Sequence, residues 1–140
     1  MGLPLGAPLG GKMKLGVLLT VNAVVSMAFG VAFVLAPAEV LAFYGVTLTP
    51  GTAVVARLFG SALVGYAVVG WLARTVANSE ALQAIVTGYF FGSTVGCVVA
   101  LHGVLSGATN ALGWSTLAIY GLFAVVFGVF HFRKTAAARA

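Results

Sequence analysis

Few side chains in this chain of 140 residues could take part in chemistry. The acidic residues are Glu39 and Glu80, no aspartate is present, and the histidines are His102 and His131. Cys97 is the single cysteine, so an intramolecular disulfide is excluded. These residues cannot supply the clustered ligands of a metal site. We therefore expect no enzyme activity, and the sequence requires neither a metal nor another cofactor.

The composition indicates a membrane protein. Hydrophobic residues make up 61% of the chain and charged residues only 6%, whereas a soluble domain carries about 25% charged residues. So much apolar surface could not be covered by polar groups in water. The net charge of +5 comes from basic residues beside the apolar segments, where membrane topology explains them. We therefore expect lipids and other membrane proteins as partners, and no nucleic acid.

Four apolar runs are long enough to cross a bilayer, which takes about 20 residues. They cover residues 15–36, 53–73, 81–102 and 112–132, after a short lead of residues 1–14. Pro37 to Tyr44, followed by Gly45, predicts a short helix in the membrane interface. Thr49 or Thr52 is the predicted cap of the second span. The predicted fold is all-α: residues 1–140 form a single domain, a bundle of four transmembrane helices with a short interfacial helix between the first two.

The basic residues predict the orientation of this bundle. With four spans, six of the seven fall on one side of the membrane: Lys12, Lys14, Arg74, Arg133, Lys134 and Arg139. Cytoplasmic segments carry the excess of lysine and arginine, so we expect both chain ends in the cytoplasm of a bacterial cell with this protein in its inner membrane. Glu39 and Glu80 then lie on opposite faces, which excludes paired-carboxylate chemistry.

Arg57 is the one basic residue inside an apolar run. It lies about six residues into the second span, or roughly 9 Å below the membrane boundary, where a charge is costly. One interpretation is that it extends to the interface or pairs with Glu39 and holds the short helix down. The other is a site for an anion or a lipid headgroup in a pocket under the short helix, with Arg57, Glu39 and Tyr44 as the binding residues.

Small residues recur at intervals of four along the third span, and we call them the small-residue ridge: Ala84, Gly88, Gly92, Gly96 and Ala100. Such spacing lets helix backbones approach closely in lipid. The ridge therefore predicts either a seam within this chain or an interface with a second copy or another subunit. Small residues on the other helices favour a compact bundle with little room for a pore.

Two further sets of polar residues are candidates for interhelical contacts or ligands. Counting depth from each boundary places Asn22 level with Tyr66, which predicts an interhelical hydrogen bond or a polar lining for a small ligand. His102 and His131 fall at opposite ends of their helices, about 30 Å apart, so they cannot ligate one haem iron. His102 alone could ligate a pigment or a haem.

The segment from Pro37 to Gly45, followed by Ala56-Arg57-Leu58-Phe59-Gly60 and a small-residue helix ending in Trp71, resembles small bacterial four-helix membrane proteins of the DoxX-like group. The resemblance is strongest over residues 30–73. It implies the four-span fold, an accessory role in redox or stress complexes, and a role for Arg57 beyond a chance charge.

The leading prediction from the sequence is a non-enzymatic integral membrane protein. It would act as an accessory subunit of a larger complex, or as a homo-oligomer packed through the small-residue ridge. One alternative is binding or transport of a small lipophilic molecule, quinone or lipid with Arg57 orienting its polar end. Another is a pigment- or haem-associated subunit of a respiratory or photosynthetic assembly, with the ligand at His102.

Overall fold

A computed structural model describes residues 9–77 and 80–137 of the chain, and the described segments contain five helices. These are α1 (Leu9–Leu35), α2 (Pro37–Phe43), α3 (Pro50–Ala73), α4 (Glu80–Leu105) and α5 (Gly113–Ala137). The four long helices are each long and apolar enough to span a membrane. The all-α prediction, with four spans and a short helix between the first two, is therefore confirmed, and the chain is an integral membrane protein.

The helix ends differ from the predicted spans by a few residues. α1 begins at Leu9 rather than at residue 15, so residues 9–14 of the predicted lead are helical, and residues 1–8 lie outside the described segments. α5 continues to Ala137, past the predicted end at residue 132. Backbone N–H and C=O groups are paired within a helix. A helix can therefore extend beyond the apolar segment that crosses the membrane, until it reaches a helix-breaking residue.

The start of α3 is set by a reciprocal cap. Thr49 Oγ1 accepts a hydrogen bond from the Thr52 amide at 3.1 Å, and Thr52 Oγ1 accepts one from the Thr49 amide at 2.7 Å. Pro50 occupies the first helical position, where its missing N–H costs nothing. Both predicted caps thus act together, and α3 starts three residues before the predicted span.

The long helices pack as two pairs, with α1 against α3 and α4 against α5. Backbone contact defines the first pair: a Cβ atom added to Gly60 would lie 2.7 Å from the Gly30 carbonyl oxygen. One added to Gly30 would lie 2.9 Å from the Gly60 carbonyl oxygen. In the second pair, glycines face aromatic rings, with Gly128 against Phe90 and Gly96 against Tyr120. Glycine is required at Gly30 and Gly60 because backbone cannot move aside as a side chain can.

A buried apolar cluster joins the two pairs over the half of the bundle nearest the α3–α4 connection. Its members come from all four long helices: Leu19, Ala73, Leu82, Val86, Tyr89, Phe123 and Phe127. The Tyr89 hydroxyl also donates a hydrogen bond to the Tyr66 carbonyl oxygen at 2.7 Å, which links α4 to α3. In the other half, which carries α2 and which we call the α2 end, a cavity lies between the two pairs.

We expect Gly60→Ala to destabilise the fold by about 1–3 kcal/mol, because the new methyl group meets backbone that cannot yield. Gly65→Ala is the matched control on the same helix, since a Cβ there meets nothing within 4 Å. Its effect should be neutral or stabilising by up to about 1 kcal/mol through helix propensity. Thermal unfolding of both variants in the same detergent measures this difference, and equal melting temperatures would contradict the proposed α1–α3 contact.

Candidate functional site

Residues of both helix pairs and of α2 enclose a cavity of about 490 Å³ near the α2 end. This volume lies in the range of small-molecule sites, about 300–1,000 Å³. Most of the wall is apolar and includes side chains from every long helix, among them Phe29, Phe33, Phe59, Leu63, Val99 and Ile119. The compact packing expected from the small-residue stripes therefore does not extend to this half of the bundle.

A cluster of polar side chains forms the inner part of the cavity wall, and we call it the polar floor. It consists of Asn22 and Ser26 of α1, Tyr66 of α3 and Ser93 of α4. Asn22 is 2% exposed, and Ser26 and Ser93 are also buried. Polar groups so far inside apolar helices are costly unless they bind one another or a ligand.

The polar floor has one unused hydrogen-bond donor. Asn22 and Ser93 both lie beside the Tyr66 hydroxyl, yet Asn22 Nδ2 is fully buried and has no hydrogen-bond partner among the described residues. A buried donor left in this way costs about 1–3 kcal/mol. A ligand with a hydrogen-bond acceptor would complete the cluster. The ligand would accept a hydrogen bond from the Tyr66 hydroxyl, and the Tyr66 oxygen could then accept one from Asn22 Nδ2.

Hydrogen bonds close the cavity at the α2 end. Asn110, in the connection between α4 and α5, donates from Nδ2 to the Phe43 carbonyl oxygen at 2.7 Å and from its amide to the Tyr44 carbonyl oxygen at 3.1 Å. The Tyr44 hydroxyl lies 2.9 Å from Thr116 Oγ1 of α5. Gly45 has a φ of +71°, which turns the chain back after α2. α2 is thereby fixed across the gap between the two helix pairs.

The cavity wall carries no formal charge. Among the described residues that line it, none is an aspartate, glutamate, lysine or arginine. A charged ligand would lose its hydration there without gaining a counter-charge, which is strongly unfavourable in a low-dielectric site. The site therefore suits a neutral molecule.

Of the three residues predicted to bind a ligand together, Arg57, Glu39 and Tyr44, only one lies at the cavity. Tyr44 lines it, whereas Arg57 and Glu39 are exposed and lie outside it. No ion pair joins Arg57 and Glu39 in the described part of the chain. The physical reason is that Ala56 and Gly60 turn the buried face of α3 towards α1, so Arg57 projects from the outer face, where its long side chain can extend towards water.

The small-residue ridge on α4 is divided among three environments. Ala84 and Gly88 are exposed, and a Cβ added to Gly88 would meet nothing within 4 Å. Gly92 is equally open but lines the cavity, as does Ala100. Gly96 packs against the ring of Tyr120. The ridge is thus not a continuous helix seam within this chain.

The remaining predicted residues occupy different surroundings. Asn22 lies beside Tyr66, at the depth that counting along the helices predicts.

His102 is exposed in the last turn of α4. His131 Nδ1 lies 2.9 Å from Thr87 Oγ1, and its ring stacks on Phe90 with an interplanar angle of 9°. The described residues contain no group of three potential metal ligands.

Sequence reasoning missed Ser93, Thr116 and Asn110. Ser93 and Thr116 belong to the adjacent polar pairs Ser93-Thr94 and Ser115-Thr116 in apolar helices, a signal that could have been used because intramembrane polar groups are rare. Asn110 looks like an ordinary turn residue in the sequence. Its side-chain bond to Phe43 of α2 spans 67 positions of the chain, and nothing local in the sequence predicts it.

Comparison with known proteins gives no assignment: no family model, no curated protein and no solved structure matches the chain. The resemblance to the DoxX-like group stays a prediction. Function is therefore inferred from the geometry of the cavity.

We expect Asn110→Ala to loosen α2. The change removes the Nδ2 bond to Phe43 and the Oδ1 bond that accepts from the Leu112 amide. Losing about 1 kcal/mol of local stability should raise amide hydrogen exchange at Gly45 and Val46 about fivefold. Ser106→Ala is the control, because Ser106 Oγ bonds only the nearby Gly103 carbonyl oxygen. Equal exchange at residues 45–46 in the two variants would show that Asn110 does not fix α2.

Proposed function

We propose that this membrane protein binds a neutral lipophilic molecule that carries a hydrogen-bond acceptor, and that it does so without enzymatic chemistry. The observation that carries this proposal is the apolar cavity whose polar floor contains the unpartnered, buried Asn22 amide nitrogen. A quinone and a neutral lipid both meet these requirements.

The polar floor orients the ligand. A ligand carbonyl accepts from the Tyr66 hydroxyl, and the Tyr66 oxygen then accepts from Asn22 Nδ2. The Tyr66 ring contacts the Tyr89 ring edge-on at a centroid distance of 4.1 Å, and this contact holds the Tyr66 hydroxyl in position. Such hydrogen bonds are strong in a site that excludes water. The aromatic side chains of the wall determine which ligand shapes fit, and the polar floor fixes the orientation of the ligand, as in other small-molecule sites.

The orientation predicted from the basic residues places the cavity in the half of the membrane that faces away from the cytoplasm. The α3–α4 connection carries Arg74 and lies on the cytoplasmic side in this scheme. α2 then covers the cavity on the outer side of a bacterial inner membrane. Arg57 serves as an anchor at the headgroups and does not contact the ligand.

A second candidate function uses the exposed part of the small-residue ridge. The Cβ positions of Gly88 and Gly92 meet nothing within 4 Å, so another helix could approach the backbone of α4 there. This favours an accessory subunit or a homo-oligomer. A pigment at His102 has less support, because that side chain is exposed and is not among the residues that line the cavity.

Gly92→Leu and Gly88→Leu form a matched pair that separates the two candidates. Both sites are open and exposed on α4, and of the two only Gly92 lines the cavity. We expect Gly92→Leu to fill part of the cavity and to remove lipophiles that copurify with the wild type, while Gly88→Leu retains them. Mass spectrometry of organic extracts measures this. A smaller particle on native gels in both variants, with lipophiles retained, would instead favour the ridge as a protein interface.

Tyr66→Phe tests the role of the polar floor. The probe is prodan, a neutral naphthyl ketone whose emission reports hydrogen bonding to its carbonyl. We expect about tenfold weaker binding and a shift of the bound emission to shorter wavelength, since the ketone loses a donor worth about 1–1.5 kcal/mol. Tyr89→Phe is the control: it removes the bond to the Tyr66 carbonyl oxygen and should lower stability with a smaller effect on emission. Unchanged affinity and emission in Tyr66→Phe would exclude this hydrogen bond.

A further inference from the structure

Four of the residues that line the cavity are exposed, and all four lie on α3 or α4: Phe59 and Ala62 of α3, and Gly92 and Val99 of α4. This distribution indicates an opening at the side of the cavity, between α3 and α4. α3 and α4 belong to different helix pairs and approach each other much less closely than the helices within either pair. We call these four residues the lateral opening.

The other directions out of the cavity are obstructed. At the α2 end, the route to water is crossed by α2 with its bonds from Asn110 and from Tyr44 to Thr116. At the α3–α4 end, the buried cluster around Phe127 fills the space between the pairs. Between α1 and α5, the side chains of Phe29 and Tyr44 line both the cavity and a neighbouring surface groove, so they stand between the two spaces.

The lateral opening faces hydrocarbon. It lies along the apolar length of two spanning helices, and the surface around it is formed by exposed apolar residues such as Val95 and Val98. The absence of side chains at Gly92 keeps it wide. A hydrocarbon chain that passes through this opening exchanges one apolar surrounding for another, so it pays no cost of exposure to water.

We infer that the ligand is a long-chain lipophile: its acceptor-bearing head lies on the polar floor, and its hydrocarbon tail leaves between α3 and α4 and remains in the bilayer. This inference rests on the proposed ligand-binding function and specifies the class of ligand and its route. The head enters from the membrane, and the polar end points towards the middle of the bilayer, opposite to the direction of a phospholipid headgroup.

The opening can be blocked by one substitution with an adjacent control. Val99 and Val98 are 64% and 63% exposed on α4, and of the two only Val99 lines the cavity. Val99→Trp places a bulky ring in the lateral opening, and Val98→Trp places the same ring on the neighbouring surface. Both changes add an aromatic side chain to a lipid-facing position, so folding should be affected equally, and thermal unfolding checks this.

The test uses two probes with the same ketone head in protein reconstituted into nanodiscs. Prodan has a short chain, and laurdan has a chain of about twelve carbons. Tryptophan-to-probe energy transfer reports bound probe, and empty nanodiscs give the background. In the wild type we expect similar dissociation constants for the two probes. In Val99→Trp, laurdan should bind at least tenfold more weakly while prodan changes less than threefold, and Val98→Trp should match the wild type for both.

Three results would overturn the inference, and they differ in what they exclude. Equal laurdan binding in Val99→Trp and Val98→Trp would show that the tail does not pass between α3 and α4, with the cavity still a binding site. Equal weakening of prodan and laurdan in Val99→Trp would place the whole ligand inside the cavity. Absence of saturable binding of either probe to the wild type, with Gly92→Leu giving the same signal, would overturn the proposed function itself.

Discussion

Backbone contact between Gly30 and Gly60 determines how the rest of the bundle is arranged. In a bilayer, apolar side chains gain little by leaving lipid for a protein interior, so helices associate through close packing and hydrogen bonds. At Gly30 and Gly60 the carbonyl oxygens lie where side chains would otherwise begin. α1 and α3 are thereby held as one unit, and α4 and α5 form the other. The size of the space between the two helix pairs depends on where the pairs contact each other. Their buried contact lies around Tyr89 and Phe127.

The polar floor carries a cost in stability that the proposed ligand binding would explain. Asn22 could be replaced by an apolar residue of similar size in a protein that only had to fold, since a buried donor without a partner is destabilising. Its presence beside Tyr66 gives the cavity a directional group in surroundings that otherwise distinguish ligands only by shape. Local violations of packing rules of this kind are concentrated where proteins bind other molecules.

Much of the fold follows from the sequence, because its causes are local. Runs of apolar residues predict the four spans, Pro37 and Gly45 bracket α2, and Thr49 with Thr52 predicts the start of α3. The level of Asn22 relative to Tyr66 follows from counting residues along two helices. The choice of helix partners does not follow, since Gly88 and Gly92 have the same spacing signal as glycines that pack closely. A ligand site at Asn22 and Tyr66 and a pocket under α2 were predicted as alternatives, but the uncharged wall of the cavity was not, because it depends on how the two helix pairs pack.

The uncharged wall of the cavity has a consequence for how occupancy responds to the state of the membrane. A unit charge moved across the full bilayer couples to the transmembrane potential by about 2.3 kcal/mol per 100 mV. The described lining residues carry no formal charge, and neither does a neutral ligand, so the transmembrane potential has no charge at the site to act on. Under the proposed function, occupancy of the site would follow the amount of ligand dissolved in the lipid, and it would be the same in an energised and in a depolarised membrane.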